Sequence, residues 1–148
     1  MAKINAYLDF NGNCREAFEF YKSVFGGDFL YIYTNNDMPP MEGMPPLTPE
    51  QQNKILHVTL AIDKNTVLMG SDAGVGFAPP ATFGNNISLY VDTENRAESD
   101  RIFAALADGG KVNMPMEHTF WGAYFGSLTD KFGVNWMISN AESEQTKP

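Results

Sequence analysis

Apolar and polar residues alternate from Lys3 to Phe10, which is the pattern of a strand with one buried face. From Cys14 to Phe25 the apolar residues instead recur at helical spacing, with Asn13 as a candidate N-cap and Gly26-Gly27 as the stop. Strands are predicted next at residues 28–33, 55–62 and 66–71. The first half of the chain is therefore predicted to be strand, helix, strand, strand, strand.

The same order of elements begins again at Asn86. Residues 86–91 alternate as a strand, Thr93 is a candidate cap for a helix that extends to about Asp108, and Gly109-Gly110 ends that helix. Strands follow at residues 111–114, 121–128 and 135–139. An internal duplication is indicated by four matched pairs: Asn5 with Asn86, Leu8 with Leu89, Phe20 with Phe103, and Gly26-Gly27 with Gly109-Gly110.

These patterns predict an α+β fold of two tandem βαβββ modules with one helix per module. Module one spans about residues 1–72 and module two about residues 86–140, within a single domain of 148 residues. A chain of this length can bury a sufficient core without disulfides.

Two loops, residues 34–53 and 72–85, interrupt the periodic pattern. The first contains three methionines and five prolines. A loop of this length without regular structure is usually a lid, a binding loop or a disordered segment, and methionine side chains adapt to irregular apolar surfaces. Two interpretations stay open: a mobile excursion, or a flap over a cavity or a dimer seam.

The stretch from Met114 to Ile138 contains both tryptophans and four further aromatic residues, Phe120, Tyr124, Phe125 and Phe132. It predicts two strands joined by a turn at residues 129–133, where Asp130 can cap its own backbone and Gly133 accepts a positive φ. Trp121 and Phe125 are the residues expected to line a pocket or a dimer interface.

Charge and cysteine content narrow the classes of partner. The net charge of −8 argues against a nucleic-acid or anionic-membrane partner, and no apolar run approaches the roughly 20 residues that a spanning helix needs. Cys14 is the single cysteine, which excludes an internal disulfide, and its place at a helix start would allow a lowered pKa. The N-terminus leads directly into a strand without a signal peptide, so a cytoplasmic location is expected.

One helix can cover only one face of a four-stranded sheet, so each module has a second face. That face is too mixed for a core and too rich in tyrosine and methionine for plain solvent surface, which suits a small-molecule site. A solvated or dimer-buried face is the alternative. The candidate ligand-binding residues are Asn5, Tyr7, Asp9, His57, Thr59, Met69, Asn86, Ser88, Tyr90, Trp121, Phe125 and Met137.

Two of these residues are candidates for catalysis. His57 is the only histidine within a predicted strand and lies on the second face. Asp9, two positions after Tyr7, is a candidate general acid or base if burial raises its pKa. The plainer interpretations are a structural histidine and a polar wall residue.

Four segments resemble a known family: NGNCREAFEFYKSVFGG, LHVTL, LMGSD and MPMEHTFWGAYFGSLTDKFGVNWM. They are similar to the PhnB-like branch of the vicinal oxygen chelate superfamily, which includes glyoxalase I, bleomycin-resistance proteins and extradiol dioxygenases. The resemblance covers nearly the whole chain outside the loop at residues 34–53. It implies a curled mixed sheet built from paired modules, a site inside that sheet, and a homodimer.

The resemblance also says where a metal would be held. Metal enzymes of the superfamily place His, Glu or Gln on the first and fourth strands of each half. By alignment these positions fall near Asn5, Met69, Asn86 and Met137, and amides and thioethers are poor ligands for Zn²⁺, Ni²⁺, Fe²⁺ or Mn²⁺. No metal and no other cofactor is therefore expected.

PhnB-like relatives are also described as ubiquinone-pathway methyltransferases. The glycine-rich turn between a first strand and a helix, which a methyl-donor nucleotide would use, is absent from the sequence. Two functional classes stay open. The first is a metal-free homodimeric module that binds a small molecule in a concave sheet cavity. The second is a lyase, isomerase or dioxygenase-type enzyme with an atypical site that uses His57 and Asp9.

Overall fold

The computed structural model describes residues 1–75 and 78–141. The chain divides into two compact units, Met1–Thr82 and Phe83–Pro148. The predicted loop 72–85 crosses this boundary, and its residues 76 and 77 lie outside the described residues. The prediction that both halves belong to one domain stays a prediction.

The first unit is a four-stranded sheet with a long helix and a short one. In chain order its elements are β1 (Ala6–Phe10), α1 (Cys14–Phe25), β2 (Asp28–Thr34), α2 (Pro49–Gln52), β3 (Ile55–Ala61) and β4 (Val67–Asp72). The strand order is β1-β4-β3-β2, with β1 parallel to β4 and the other pairs antiparallel.

The second unit repeats this arrangement. Its elements are β5 (Leu89–Asp92), α3 (Arg96–Ala107), β6 (Lys111–His118), β7 (Ala123–Thr129) and β8 (Asn135–Ala141). The strand order β5-β8-β7-β6, with β5 parallel to β8, matches the first sheet strand for strand. The predicted α+β class and the two βαβββ modules are confirmed, with one four-stranded sheet in each module.

Helix α1 covers one face of the first sheet with a stripe of buried side chains. The buried residues of the helix are Cys14, Ala17, Phe18, Tyr21 and Val24, and the sheet contributes Phe10, Val58, Leu60 and Leu68. The rings of Phe10 and Tyr21 meet Phe18 edge to face at centroid distances of 6.2 and 5.7 Å. Each fully buried side chain of this size contributes about 1.5–3 kcal/mol relative to an exposed one.

The core of the second unit is smaller and is closed by the β7–β8 hairpin. Its buried side chains include Ile102, Leu106, Leu128, Trp136 and Ile138. Asp130 is 3% exposed and forms the predicted turn, because its Oδ1 accepts hydrogen bonds from the backbone N–H groups of Phe132 and Val134. Its Oδ2 accepts a 2.9 Å hydrogen bond from the Trp136 indole, which joins the turn to the core.

A bulge in the β2–β3 pairing changes one predicted face. Tyr33 pairs with His57, but the next residue, Thr34, pairs with Ile55. Ile55 is therefore buried at 1% exposure, whereas Leu56, which strict alternation with Val58 and Leu60 would place on the helix-covered face, is 37% exposed. The reason is that a one-residue shift in register exchanges the two faces of a strand.

The start of α3 also differs from the prediction. Asn95, in extended conformation, is the N-cap, and its side chain accepts a 2.8 Å hydrogen bond from the backbone N–H of Glu98. Thr93 is buried, and its hydroxyl is hydrogen-bonded to that of Ser99. Both residue types cap helices well, so the sequence alone did not separate them.

Two strands begin later than the alternation predicts. Ile4 and Ile87 are 98% and 71% exposed and precede β1 and β5, since no neighbouring strand pairs with them. In the other direction, β6 extends past Pro115 to His118, because an edge strand tolerates proline.

The pairing registers correct the predicted alignment of the two halves. Tyr7 lies opposite Met69, and Tyr90 lies opposite Met137. Tyr7 and Tyr90 are 83 positions apart (90 minus 7), as are Phe20 and Phe103. The predicted pairs Asn5 with Asn86 and Leu8 with Leu89 are 81 apart, so they are two positions out of register. They stay on the same face because strand faces repeat every two residues.

Beyond the β2–β3 connection the separation between equivalent residues falls. Met69 and Met137 occupy the same register position and are 68 positions apart (137 minus 69). The β2–β3 connection is therefore 15 residues longer than its β6–β7 counterpart (83 minus 68). No helix within residues 1–75 and 78–141 is long and apolar enough to cross a membrane.

Candidate functional site

A pocket of about 540 Å³ lies in the first unit, where the long β2–β3 connection meets the chain that follows β4. We call the segment from Met38 to Met44 the methionine loop, because Met38, Met41 and Met44 all line the pocket. The other described lining residues are Asp9, Asn35, Leu56, Ser71, Asp72, Ala73, Val75, Ala78, Pro79, Pro80, Ala81 and Thr82. The volume lies in the range of small-molecule sites, roughly 300–1,000 Å³.

Asn35 joins the two ends of the β2–β3 connection. It is 1% exposed, its backbone N–H donates to the carbonyl of Lys54, and its Nδ2 donates to the carbonyl of Gln51 at 2.9 Å. Near the far end, Thr48 caps α2 by a reciprocal pair of hydrogen bonds with Gln51. The long connection is thus closed at its base, which holds the methionine loop beside the pocket.

The second wall of the pocket is fixed to the β1–α1 turn. The side chain of Asn11 donates from Nδ2 to the carbonyl of Ala81 and accepts at Oδ1 from the N–H of Ala81, at 3.0 and 2.8 Å. The backbone N–H of Ala73 donates to the carbonyl of Phe10. These bonds connect the segment after β4 to the end of β1.

Two carboxylates line the pocket, and they differ in what they can bind. Asp72 is 8% exposed, and its two oxygens accept hydrogen bonds from the backbone N–H groups of Gly12, Cys14 and Ile55 at 2.9–3.0 Å. Asp9 is exposed, and from the described residues it accepts only one hydrogen bond, from the hydroxyl of Ser71 at 3.1 Å. Asp72 is therefore a structural acceptor, whereas Asp9 keeps capacity for a ligand.

The remaining predicted residues of the first sheet form a separate polar cluster on the face away from α1. A short 2.8 Å hydrogen bond joins His57 Nε2 to the Thr59 hydroxyl, and a longer 3.5 Å one joins His57 Nδ1 to the Tyr7 hydroxyl. Met69 lies between Tyr7 and Thr59 in the sheet register. His57 and Asp9 are not hydrogen-bonded to each other among the described residues, so the two candidate catalytic groups are not brought together as a pair.

The second sheet presents an equivalent row on its own uncovered face. Tyr90, Met137 and Ser127 lie side by side as Tyr7, Met69 and Thr59 do. Asp92 pairs with Ser139 as Asp9 pairs with Ser71. Of the other predicted residues, Asn5 and Asn86 lie outside the strands and are exposed, and Ser88 directly precedes β5.

Trp121 and Phe125 contact each other on the second unit. Their rings meet edge to face at 5.8 Å, with Trp121 56% exposed in the β6–β7 turn and Phe125 on β7. Phe120, 98% exposed, packs against Trp121 at 5.1 Å. The three rings form an aromatic patch in which Phe120 and Trp121 are exposed and Phe125 is half-buried. The role predicted for Trp121 and Phe125, in a pocket wall or a dimer interface, stays a prediction.

Sequence reasoning missed most of the pocket in the first unit. Of the predicted site residues only Asp9 lines it, whereas the methionine loop, Asn35, Leu56 and Asp72 were not named as site residues. The regular spacing of Met38, Met41 and Met44 was the available signal. Leu56 could not be found in this way, because a bulge turns it away from the core.

Cys14 is not an activated thiol. It is fully buried, and burial together with the nearby Asp72 and Asp9 carboxylates raises its thiol pKa far above the ordinary value. The lowered pKa considered from its position at the helix start is therefore wrong, because desolvation disfavours the thiolate.

The residues at the superfamily's metal positions do not fit a catalytic divalent metal. The positions expected from the resemblance were Asn5, Met69, Asn86 and Met137, and the strand pairing places Tyr7 and Tyr90, in place of Asn5 and Asn86, beside the two methionines. None of these side chains is an imidazole, carboxylate or thiolate. Across the described part of the chain, no three His, Cys, Asp or Glu side chains gather into a group that could hold a metal ion.

Two βαβββ units, each with a mixed four-stranded sheet, define the glyoxalase/bleomycin-resistance class of fold. A glyoxalase/bleomycin resistance protein/dioxygenase family enzyme from Burkholderia phytofirmans shares this fold, with a TM-score of 0.60 at 15% identity over 93% of this chain and 98% of that one. Within the class, the family model described as 3-demethylubiquinone-9 3-methyltransferase matches residues 2–139. The chain belongs to this family, the PhnB-like branch.

Individual relatives agree with this assignment. The chain is 32% identical to protein YjdN of Escherichia coli over 97% of this chain and 99% of YjdN. It is 38% identical to protein PA1353 of Pseudomonas aeruginosa, with a TM-score of 0.80 over 95% and 98% of the two chains. It is 30% identical to a PhnB protein of Bacillus cereus, with a TM-score of 0.75 over 95% and 100%.

Proposed function

We propose that this protein is a metal-free small-molecule-binding module. The pocket beside the methionine loop carries the proposal. It has the volume of a small-molecule site, mostly apolar lining and a few polar groups, which is the usual composition of such sites. The proposal that the module is metal-free is supported by the poor fit to a divalent metal of the side chains of Tyr7, Met69, Tyr90 and Met137.

The uncovered face of the first sheet borders the proposed site. The Tyr7–His57–Thr59 cluster lies on the face that carries Asp9 and Ser71, and the latter two residues also line the pocket. We propose that a ligand seated in the pocket contacts this face through Asp9 and Ser71. Apolar wall residues would bind the body of the ligand, and the polar groups would orient it.

Mass spectrometry of the intact protein tests the proposal. Protein purified without a histidine tag or chelator is expected to carry a non-covalent molecule, or to bind one from a metabolite extract, with metal well below one ion per chain. Ala78→Trp, which places an indole at an exposed lining residue, should abolish this binding while the fold is retained. Near-stoichiometric divalent metal would contradict the metal-free proposal, and unchanged binding in Ala78→Trp would contradict the pocket.

The alternative class is an enzyme in which His57 and Asp9 act together on a substrate. Both ring nitrogens of His57 already have neighbours in Tyr7 and Thr59, and Asp9 is bonded to Ser71 instead. This arrangement supports a structural histidine. His57→Ala is expected to leave ligand binding intact, and a complete loss of a measured turnover in that variant would favour the enzyme.

We also propose that the protein acts as a cytoplasmic homodimer. The exposed Phe120 and Trp121 support self-association, because adjacent large aromatic side chains at a surface are typical of contact sites. Light scattering should give twice the chain mass, and Trp121→Arg should shift the protein toward the monomer. A monomeric wild-type protein at micromolar concentration would contradict the dimer.

A further inference from the structure

The charged side chains among the described lining of the pocket beside the methionine loop are acidic. Its described lining residues include two aspartates and no lysine, arginine or histidine. The whole chain carries a formal net charge of −8, so the wider field has the same sign. An anionic ligand would meet repulsion both at the wall and on approach, whereas a cation would be attracted.

Asp9 is the carboxylate that can receive a ligand. A carboxylate can accept about four hydrogen bonds. Within the described part of the chain Asp9 accepts one, from Ser71. Asp72 accepts three from backbone groups that it must keep, because they hold the β1–α1 turn and the start of β3. A positive group in the pocket would therefore pair with Asp9.

Asn35 fixes the wall and does not receive the ligand. Its Nδ2 donates to the carbonyl of Gln51. The residue is 1% exposed, and this fraction includes any surface that faces the pocket, so its side chain offers a ligand almost no contact area. The positive group of a ligand is therefore assigned to Asp9.

The rest of the lining is mostly apolar and adaptable. The methionine loop contributes three thioethers, and the remaining large apolar residues are Leu56, Pro79 and Pro80. Thioethers pack well against aromatic rings, and methionine changes its rotamer at small cost. The body of the ligand is therefore apolar and partly aromatic.

We propose that the pocket binds an organic cation, with its ammonium group at Asp9 and its aromatic body against the methionine loop. This assignment rests on the proposed function, because it names the ligand class of the same site. The second unit offers a matched control. Asp92 occupies the equivalent position opposite Ser139, has the same charge, and does not line this pocket.

Three probes of nearly equal shape but different charge test whether the pocket prefers a cation: 1-pyrenemethylamine, 1-pyrenemethanol and 1-pyrenecarboxylate. Fluorescence anisotropy at pH 7 measures the binding of each probe. The amine is expected to bind at least tenfold more tightly than the carboxylate, with the alcohol between them. Asp9→Asn should weaken amine binding roughly ten- to hundredfold, as expected for a hydrogen bond to a charged group. It should change alcohol binding much less, and Asp92→Asn should leave all three affinities within about twofold.

A second pair of variants tests the wall. The triple change Met38→Ser, Met41→Ser, Met44→Ser should weaken all three probes, whereas the triple change to leucine should restore most of the loss, because leucine keeps an apolar surface. Circular dichroism and urea unfolding establish that each variant is folded.

Several outcomes would overturn the organic-cation assignment. One is binding of the carboxylate probe that is as tight as, or tighter than, binding of the amine. Another is failure of the amine to bind the folded wild-type protein. A third is an equal loss of amine affinity in Asp9→Asn and Asp92→Asn, which would show only attraction to the net charge of the chain. The proposed function is judged separately by the co-purifying or extracted molecule. An anionic or neutral molecule in the pocket would sustain the binding function and refute the cation.

Discussion

At the scale of single residues, Asp72 is the group on which the pocket's frame depends. Its carboxylate joins three segments, the β1–α1 turn, the helix start and the start of β3, through three backbone N–H groups. Asn140, 68 positions later, has the related task in the second unit, where its Nδ2 donates to the carbonyl of Thr93 at 2.8 Å. Asp72 faces backbone N–H donors, whereas Asn140 faces a backbone carbonyl acceptor. A carboxylate therefore suits the first position and an amide suits the second.

Replacing Asp72 with asparagine should test this role. The amide keeps the shape of the carboxylate but turns one acceptor into a donor that faces backbone N–H groups. The buried mismatch should lower the free energy of unfolding by about 2–3 kcal/mol. Urea unfolding followed by tryptophan fluorescence measures the change. Asp9→Asn, on an exposed lining residue, is the control and should cost less than about 0.5 kcal/mol; equal costs would refute the role.

Tyr124 gives a pH dependence at the same scale. Its hydroxyl donates a 2.6 Å hydrogen bond to Asp100, and this bond, with burial next, raises the pKa of Tyr124 above its usual 10.0. A raised pKa in the folded state means that the stabilisation is complete below about pH 10 and is lost as the pH rises through the folded-state pKa. The guanidinium of Arg96, 4.3 Å from the ring centre, opposes part of the shift.

Tyr124→Phe should therefore destabilise the protein by about 1.5 kcal/mol at pH 7. The difference from wild type should shrink as unfolding is measured at increasing pH above 10. Tyr90→Phe, at an exposed position without a hydrogen bond among the described residues, is the control. A difference that stays constant through the alkaline range would exclude the linkage.

At the scale of elements, the end of each long helix has the same tight contact. A Cβ on Gly27 would collide with the carbonyl oxygen of Ala61, and one on Gly110 with that of Thr129. Ala61 and Thr129 are equivalent in the two sheets, as are the two glycines. The close approach of the helix end to the third strand of each sheet therefore requires a residue without a side chain.

Gly27→Ala and Gly110→Ala should each lower the free energy of unfolding by more than about 2 kcal/mol. Gly43→Ala is the control, because it measures the cost of a positive φ without a collision of the added methyl group. Gly43 has φ of +82°, and no atom lies within 4 Å of the place that an added methyl group would take, so only about 1 kcal/mol is expected there. Chemical denaturation of the three variants gives the comparison. A cost at Gly110 no larger than at Gly43 would contradict the collision.

The β2–β3 connection is the other element with a defined anchor. Asn35→Ala removes the hydrogen bond to Gln51 at the closed base, so the methionine loop should open more often. Limited proteolysis should cut the variant within residues 36–50 at least several times faster than wild type. Asn36→Ala, beside it and exposed, is the control and should leave the cleavage rate unchanged.

At the scale of the whole molecule, periodicity was sufficient for the order of the strands and the two long helices and for the α+β class. The short helix α2 was missed, because it lies in the loop 34–53 that was expected to lack regular structure. Helix α1 was predicted to the residue from its apolar stripe and its final glycines, although the side chain of Asn13 makes no cap hydrogen bond and the Asp72 carboxylate accepts from the N–H of Cys14 instead. The bulge at Leu56 and the cap at Asn95 were not predictable, since each depends on hydrogen bonds to residues distant in sequence or on a choice between equally good caps. Of the pocket, the sequence predicted only that loop 34–53 is either a mobile excursion or a flap over a cavity or a dimer seam, because the walls come from two connections that meet in space.

The 15 extra residues between β2 and β3 also bear on how such a protein changes over time. After a duplication, two copies of one architecture are free to diverge, and here the added length lies in a connection rather than in a strand or helix. The second copy shows that the architecture forms with the short connection. Selection can therefore rewrite the methionine loop, and with it the ligand, while the inherited scaffold is left untouched. Among relatives of this chain, differences in ligand should accordingly follow differences in this one segment.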